Sequence, residues 1–189
     1  MVAAAFDYPE TQGVYKLLPD GPVNPPPIRG NQLENVGVSP DGAVYATSGQ
    51  LLETDTGIPI TDSGLPVYAT QVNFSPDGKW ITFLDYDEVI NAYVIAVMSW
   101  NATTRKFADY RKLVDAEYDA VVGYARSMQW PTFLPDSKAV LFLNLNNAEL
   151  YLADLATSKV TILARAMGYD TPELAADPAG DKTYLPFGA

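Results

Sequence analysis

The sequence predicts an all-β chain made of repeated four-stranded antiparallel units, and three observations carry that expectation. The string Phe74-Ser75-Pro76-Asp77-Gly78-Lys79-Trp80-Ile81 returns as Val38-Ser39-Pro40-Asp41-Gly42-Ala43-Val44-Tyr45 and as Phe133-Leu134-Pro135-Asp136-Ser137-Lys138-Ala139-Val140, with a worn copy at Asp177-Pro178-Ala179-Gly180. The residues between copies alternate apolar and polar with period two, and 12 Tyr, 7 Phe and many Val and Thr favour strands while 15 Pro and 13 Gly cut them short. Finally, Pro40, Pro76, Pro135 and Pro178 stand 36, 59 and 43 residues apart. A unit of about 40 residues holding several strands points to the blades of a β-propeller.

Each element follows from the same pattern. Residues 1–34 read as a partial blade and lead-in segment, in which Val14-Tyr15-Lys16-Leu17-Leu18 and the turn Pro19-Asp20-Gly21 look like a third strand and its exit. Residues 35–70 make blade 1, a short meander from Asn35 to Ile60. Residues 71–128 make blade 2, with strands at Gln71 to Phe74, Trp80 to Asp85, Ala92 to Trp100 and Phe107 to Val114, then a long crossover loop. Residues 129–172 make blade 3, with strands at Gln129 to Leu134, Ala139 to Leu145, Glu149 to Asp154 and Val160 to Ala164. Residues 173–189 supply two strands of a further partial blade.

About three full blades and two partial ones can be a segment of a larger propeller or a four-bladed ring closed by the termini. Rings ordinarily hold about 4 to 8 blades, and the tightness of four favours the segment. An open arc leaves strand edges and an apolar blade face uncovered, so other chains completing the propeller are expected partners.

The repeated turns have a local cause. Pro40, Pro76 and Pro135 preset φ, Asp41, Asp77 and Asp136 bond the backbone ahead of them, and Gly42 and Gly78 accept positive φ. These residues are read as turn formers. Trp80, Phe83, Phe133 and Phe142 are read as packing between blades.

Composition removes several functions. A net charge of −11 repels phosphate backbones, so no nucleic acid is expected to bind. With no His and no Cys, the chain offers no Ser-His-Asp or Cys-His machinery, no disulfide and no ordinary zinc or haem site. No run approaches the ~18 apolar residues of a membrane helix. The opening Met1-Val2-Ala3-Ala4-Ala5-Phe6 lacks a basic region and meets Asp7, Pro9 and Glu10, so it does not read as a signal peptide.

The repeat, above all Val72-Asn73-Phe74-Ser75-Pro76-Asp77-Gly78-Lys79-Trp80-Ile81-Thr82-Phe83, resembles the TolB-like, WD40-related β-propeller repeats of bacteria over residues 35 to 172. It departs from them at Ser137, where Gly is expected, and at Ala179, where Asp is expected. The resemblance implies a periplasmic, cell-surface or secreted protein. It fixes function weakly, because such propellers serve as interaction platforms, as peptidase gating domains and as enzymes.

By the same resemblance, strands are ordered radially from a channel, with first-to-second strand turns on one rim and second-to-third and blade-to-blade links on the other. The irregular segments Asp85 to Asn91, Asp115 to Arg126, Asn144 to Asn147 and Tyr169 to Glu173 then gather on the second rim, where recognition usually resides. Candidate binding residues there are Asp85, Asp87, Glu88, Asp115, Glu117, Tyr118, Asp119, Tyr124 and Arg126. The stretch from Asp115 to Arg126 combines acids, tyrosines and an arginine that can clamp a sugar or peptide.

Asp85-Tyr86-Asp87-Glu88 sets carboxylates at i, i+2 and i+3 in an expected loop, which suits calcium but lacks the glycine and terminal glutamate of an EF-hand. No other cofactor is expected. Paired carboxylates also serve glycoside hydrolases, but 23 acids will bring some pair close by chance. The sequon Asn101-Ala102-Thr103 reads as a hairpin turn. The favoured function is a non-catalytic scaffold presenting loops to a protein or glycan partner. The alternative is the propeller domain of a larger enzyme of hydrolase or peptidase type, whose reacting groups lie outside this chain.

Overall fold

The computed structural model describes the backbone at residues 2–5, 13–16 and 29–30 and the chain at 36–115, 128–144 and 149–165. Among these, every regular element is a strand, and all pairing is antiparallel. β1 (Val2–Ala5), β2 (Gly13–Lys16) and β3 (Arg29–Gly30) form one sheet in chain order. The sequence expectation of a strand at Val14 is met by β2, the middle strand of this sheet among the described residues. Val2–Ala5 escaped notice because alanine is a poor strand former.

Blade 1 comprises β4 (Gly37–Val38), β5 (Val44–Thr47) and β6 (Gln50–Glu53). Its fourth place is taken by one bridge, Leu52 to Pro59, flanked by Glu53 N–H donating to Ile58 O and Ile60 N–H to Leu51 O. Pro59 has no N–H to offer a further strand, so the segment can only be an edge. Blade 2 is the full meander β7 (Thr70–Phe74), β8 (Trp80–Asp87), β9 (Ala92–Asn101) and β10 (Lys106–Val114). Blade 3 repeats it with β11 (Met128–Phe133), β12 (Ala139–Asn144), β13 (Glu149–Asp154) and β14 (Val160–Arg165). The expected partial blade at 173–189, with the fourth repeat copy, lies outside the described residues.

The first strands of successive blades lie side by side, β7 against β4 and β11 against β7, as strands around a shared axis must. Between blades 1 and 2, Ile81, Phe83, Ala96, Met98, Trp100 and Phe107 bury against Val44, Ala46 and Leu51. Phe74, Trp100 and Phe107 form an aromatic knot there, with Trp100 and Phe107 centroids 4.6 Å apart. Between blades 2 and 3, Leu84, Ile95, Val97, Leu113 and Val114 bury against Met128, Phe133, Val140, Phe142 and Tyr151, with Trp80 at the margin. Each such side chain contributes about 1.5–3 kcal/mol by leaving water. Blade 2 is therefore apolar on both faces, which is why Ala92–Asn101 is an almost unbroken apolar run.

The three turns between first and second strands sit together on one rim. Gly42 and Gly78 take φ of +71° and +70°, and Ser137 takes +59° without a glycine's freedom. Ser39 and Ser75 hydroxyls donate to Asp41 and Asp77 at 2.6 Å, while Ala43, Lys79 and Lys138 N–H groups donate to Asp41, Asp77 and Asp136. Ser137 Oγ accepts from Asp77 N–H at 3.1 Å, joining the blade 3 turn to that of blade 2.

Inner strands carry a second repeated feature. Gln71 and Trp130, each five residues before its turn proline, share a φ of +53° at a break in the ladder to the neighbouring strand. The Gln71 side chain spans the two blades, its amide donating to Gln129 Oε1 and its carbonyl accepting from Trp130 N–H.

Two outcomes follow. A Cβ on Gly37 would stand 2.1 Å from Val72 O, so Gly37→Ala must push β4 off β7 and is expected to cost about 1–3 kcal/mol in urea unfolding. Ser137→Ala keeps the unfavourable φ and loses the bond to blade 2, so it should destabilise by about 1 kcal/mol. Ser137→Gly relaxes the backbone and should cost less than the alanine variant in the same assay.

Candidate functional site

The opposite rim carries the β8–β9 turn and, among the described residues, the link from blade 1 to blade 2. The expectation that Asp85-Tyr86-Asp87-Glu88 is a loop is corrected here. β8 continues through Asp87, with Asp85 opposite Val94, Tyr86 opposite Tyr93 and Asp87 opposite Ala92. The tyrosine pair, 5.3 Å between centroids and edge to face, extends the ladder beyond what the acidic composition suggests. Only Glu88 of the four lies in the turn.

Asp85 and Asp87 share the face of β8 that looks toward blade 1, beside Tyr110 and Lys112 of β10. Tyr110 OH donates to Asp85 Oδ2 at 2.9 Å, with its ring 6.2 Å from that of Phe83. Partial burial raises the Tyr110 phenol well above its ordinary value, and the Asp85 carboxylate raises it further. Lys112 Nζ pairs with Asp87 Oδ2 and stands 3.3 Å from Asp115 Oδ2, bringing together two acids separated by 28 residues. The Lys112 hydrogen bond holds Asp87 below the usual carboxylate range despite partial burial, and the same bond raises Lys112. Asp87 Oδ1 also accepts from Val89 N–H at 2.8 Å, shaping the turn.

A tyrosine cluster, which the sequence reading missed, borders these acids. Tyr68 packs edge-on to Tyr86, 6.2 Å between centroids, and donates to Glu88 Oε1 at 3.3 Å. Tyr86 OH bonds Asn91 Oδ1. Tyr68, Tyr93 and Tyr110 are exposed, as is Val89 at the tip of the turn. The signal for the Tyr86–Tyr93 pair was their near-symmetric spacing about the hairpin. Tyr68 is joined to them only by tertiary structure.

Of the sequence candidates, Asp85, Asp87, Glu88 and Asp115 thus fall on one rim, while Glu117, Tyr118, Asp119, Tyr124 and Arg126 lie outside the described residues. Among the described residues no three acids converge in a way that could hold a metal ion. Asn101 Oδ1 accepts from the N–H groups of Thr103 and Thr104, which makes the sequon a capped hairpin.

The ion pair makes stability depend on pH. Asp87 titrates below its ordinary 3.8, so its contribution is complete above that value and disappears as pH falls through the lower, folded one. Asp87→Asn should lower the melting temperature at pH 7, and the gap to the parent should close as the pH falls below 3.8, as read by thermal scans across pH.

Neither a protein-family model nor a curated protein matches the sequence. Solved structures do match. A structure assigned as TolB from Agrobacterium tumefaciens aligns at 19% identity over 71% of this chain and 46% of its own, with a TM-score of 0.53. TolB from Acinetobacter baumannii aligns at 16% identity over 72% and 34%, with a TM-score of 0.48. The β-propeller domain of a protease from Pyrococcus furiosus aligns at 15% over 68% and 40%, with a TM-score of 0.43. The match thus spans less than half of each of these chains. Blades ordered around one axis, together with the likeness to the Agrobacterium structure, show that the chain has a β-propeller fold.

Proposed function

We propose that this chain is a non-catalytic, TolB-like propeller segment that presents its loop rim to a protein or glycan partner. The observation that carries the reading is the way the rim's ionisable groups engage one another. Asp85 is held by Tyr110, and Lys112 joins Asp87 to Asp115. A general acid or base works best with a pKa near the working pH, whereas Asp87 is held low and Tyr110 high, so each rests in one charge state. Exposed tyrosines beside fixed charges make instead a recognition surface, with apolar area that loses little entropy on contact.

The compartment proposed is the periplasm, cell surface or extracellular space, on the resemblance to TolB-like repeats. No helix among the described residues is long and apolar enough to cross a membrane. Other chains that complete the ring belong to the same proposal.

The test is affinity capture of the tagged chain from a native envelope extract, with two rim variants alongside. Partner recovery should fall several-fold for the double variant Tyr68→Ala, Tyr93→Ala and stay unchanged for Lys79→Ala on the turn rim. Recovery of no partner under gentle conditions, or equal loss from both rims, would sink the proposal.

A further inference from the structure

We propose that the inner lip of the loop rim, at Trp130, Gln71 and Gln129, binds a neutral oligosaccharide. The inference rests on reading this rim as a recognition surface and names one class of ligand for it. Trp130 is the third residue of β11 and Gln71 the second of β7, in the two innermost strands that lie against each other. Both precede their turn proline by five residues, roughly 15 Å of strand, which sets them at the loop-rim end of these first strands.

Trp130 is 54% exposed, and its φ of +53° is one that bulky side chains rarely adopt. A tryptophan so exposed recovers little burial in return for that strain, so the fold by itself would be better served by glycine here. The neighbouring blade nonetheless holds this conformation, because Gln71 accepts from the Trp130 N–H while donating to Gln129. The strained backbone is thereby fixed with the indole directed away from the core.

The ligand class follows from the groups present. An exposed indole face suits the C–H face of a pyranose, and primary amides both donate to and accept from hydroxyls. The polar groups that build the lip are neutral amides, and the chain's charge of −11 disfavours an anionic glycan.

Tryptophan emission reads the site directly, since Trp100 is buried and Trp80 packs against the blade 2–3 core. The probes are cellotetraose, chitotetraose and maltotetraose, each titrated to about 10 mM against the full chain. At least one should shift the emission saturably and protect it from acrylamide. Trp130→Gly should keep or raise the melting temperature, while binding of that sugar, followed by calorimetry, weakens roughly tenfold or more. Trp130→Asn, which tolerates the same φ, serves as a second variant should the first fail to fold. Silence from all three sugars overturns the proposal, as does undiminished binding by both variants, or a large fall in melting temperature in both, which would make Trp130 a packing residue. Failure of the sugars leaves capture of a protein partner through Tyr68 and Tyr93 standing or falling by its own assay.

Discussion

Everything in this fold depends on apolar faces pressed together between adjacent blades. A four-stranded antiparallel meander cannot hide its own two faces, and blade 2 is greasy on both, with Ala96, Met98 and Trp100 turned one way and Ile95 and Val97 the other. Its stability is therefore borrowed from blades 1 and 3. The Gly37 approach to Val72 and the Gln71 bridge to blade 3 are polar and backbone consequences of that contact, since strands drawn so close must satisfy their N–H and C=O groups across the seam.

The two rims divide the work. On one, Ser-Pro-Asp-Gly turns satisfy themselves internally, with Asp41 held below its ordinary value by the Ser39 hydroxyl and the Ala43 N–H. For Asp77, burial raises the carboxyl most strongly, but the Ser75 hydroxyl, the Lys79 N–H, the Lys79 charge and Ser137 together outweigh it. Such turns leave little to offer a ligand. On the other rim the tyrosines, the Lys112 ion pairs and the strained Trp130 accumulate.

Much of the architecture could be read from residues alone, because a period-two pattern and a repeated turn are local signals. Glu149–Asp154 was placed to the residue, and the other strands of blades 2 and 3 within two. The site was far less legible. Asp85 and Asp87 looked like loop acids because composition hides the Tyr86–Tyr93 ladder, and their partners Tyr110 and Lys112 come from a strand some 25 residues later. Nothing local marks Trp130 as left-handed. Aligning it with Gln71 through the turn prolines was possible, but the meaning of the pair resides in a hydrogen bond between blades.

Two arginines at the outer strands complete the geometry. Arg105 of blade 2 reaches Glu53 of blade 1 at 2.5 Å, and Arg111 reaches Ser158 Oγ and Leu155 O of blade 3 at 2.8 and 2.6 Å. Near the axis a glycine lets backbones touch, whereas at the periphery long guanidinium arms span the gap. Neighbouring sheets consequently splay like staves held narrow at one edge and wide at the other, and the ratio of those two widths sets an angular pitch. The curvature of the arc from blade 1 to blade 3 is thus written in side-chain length: short inside, long outside.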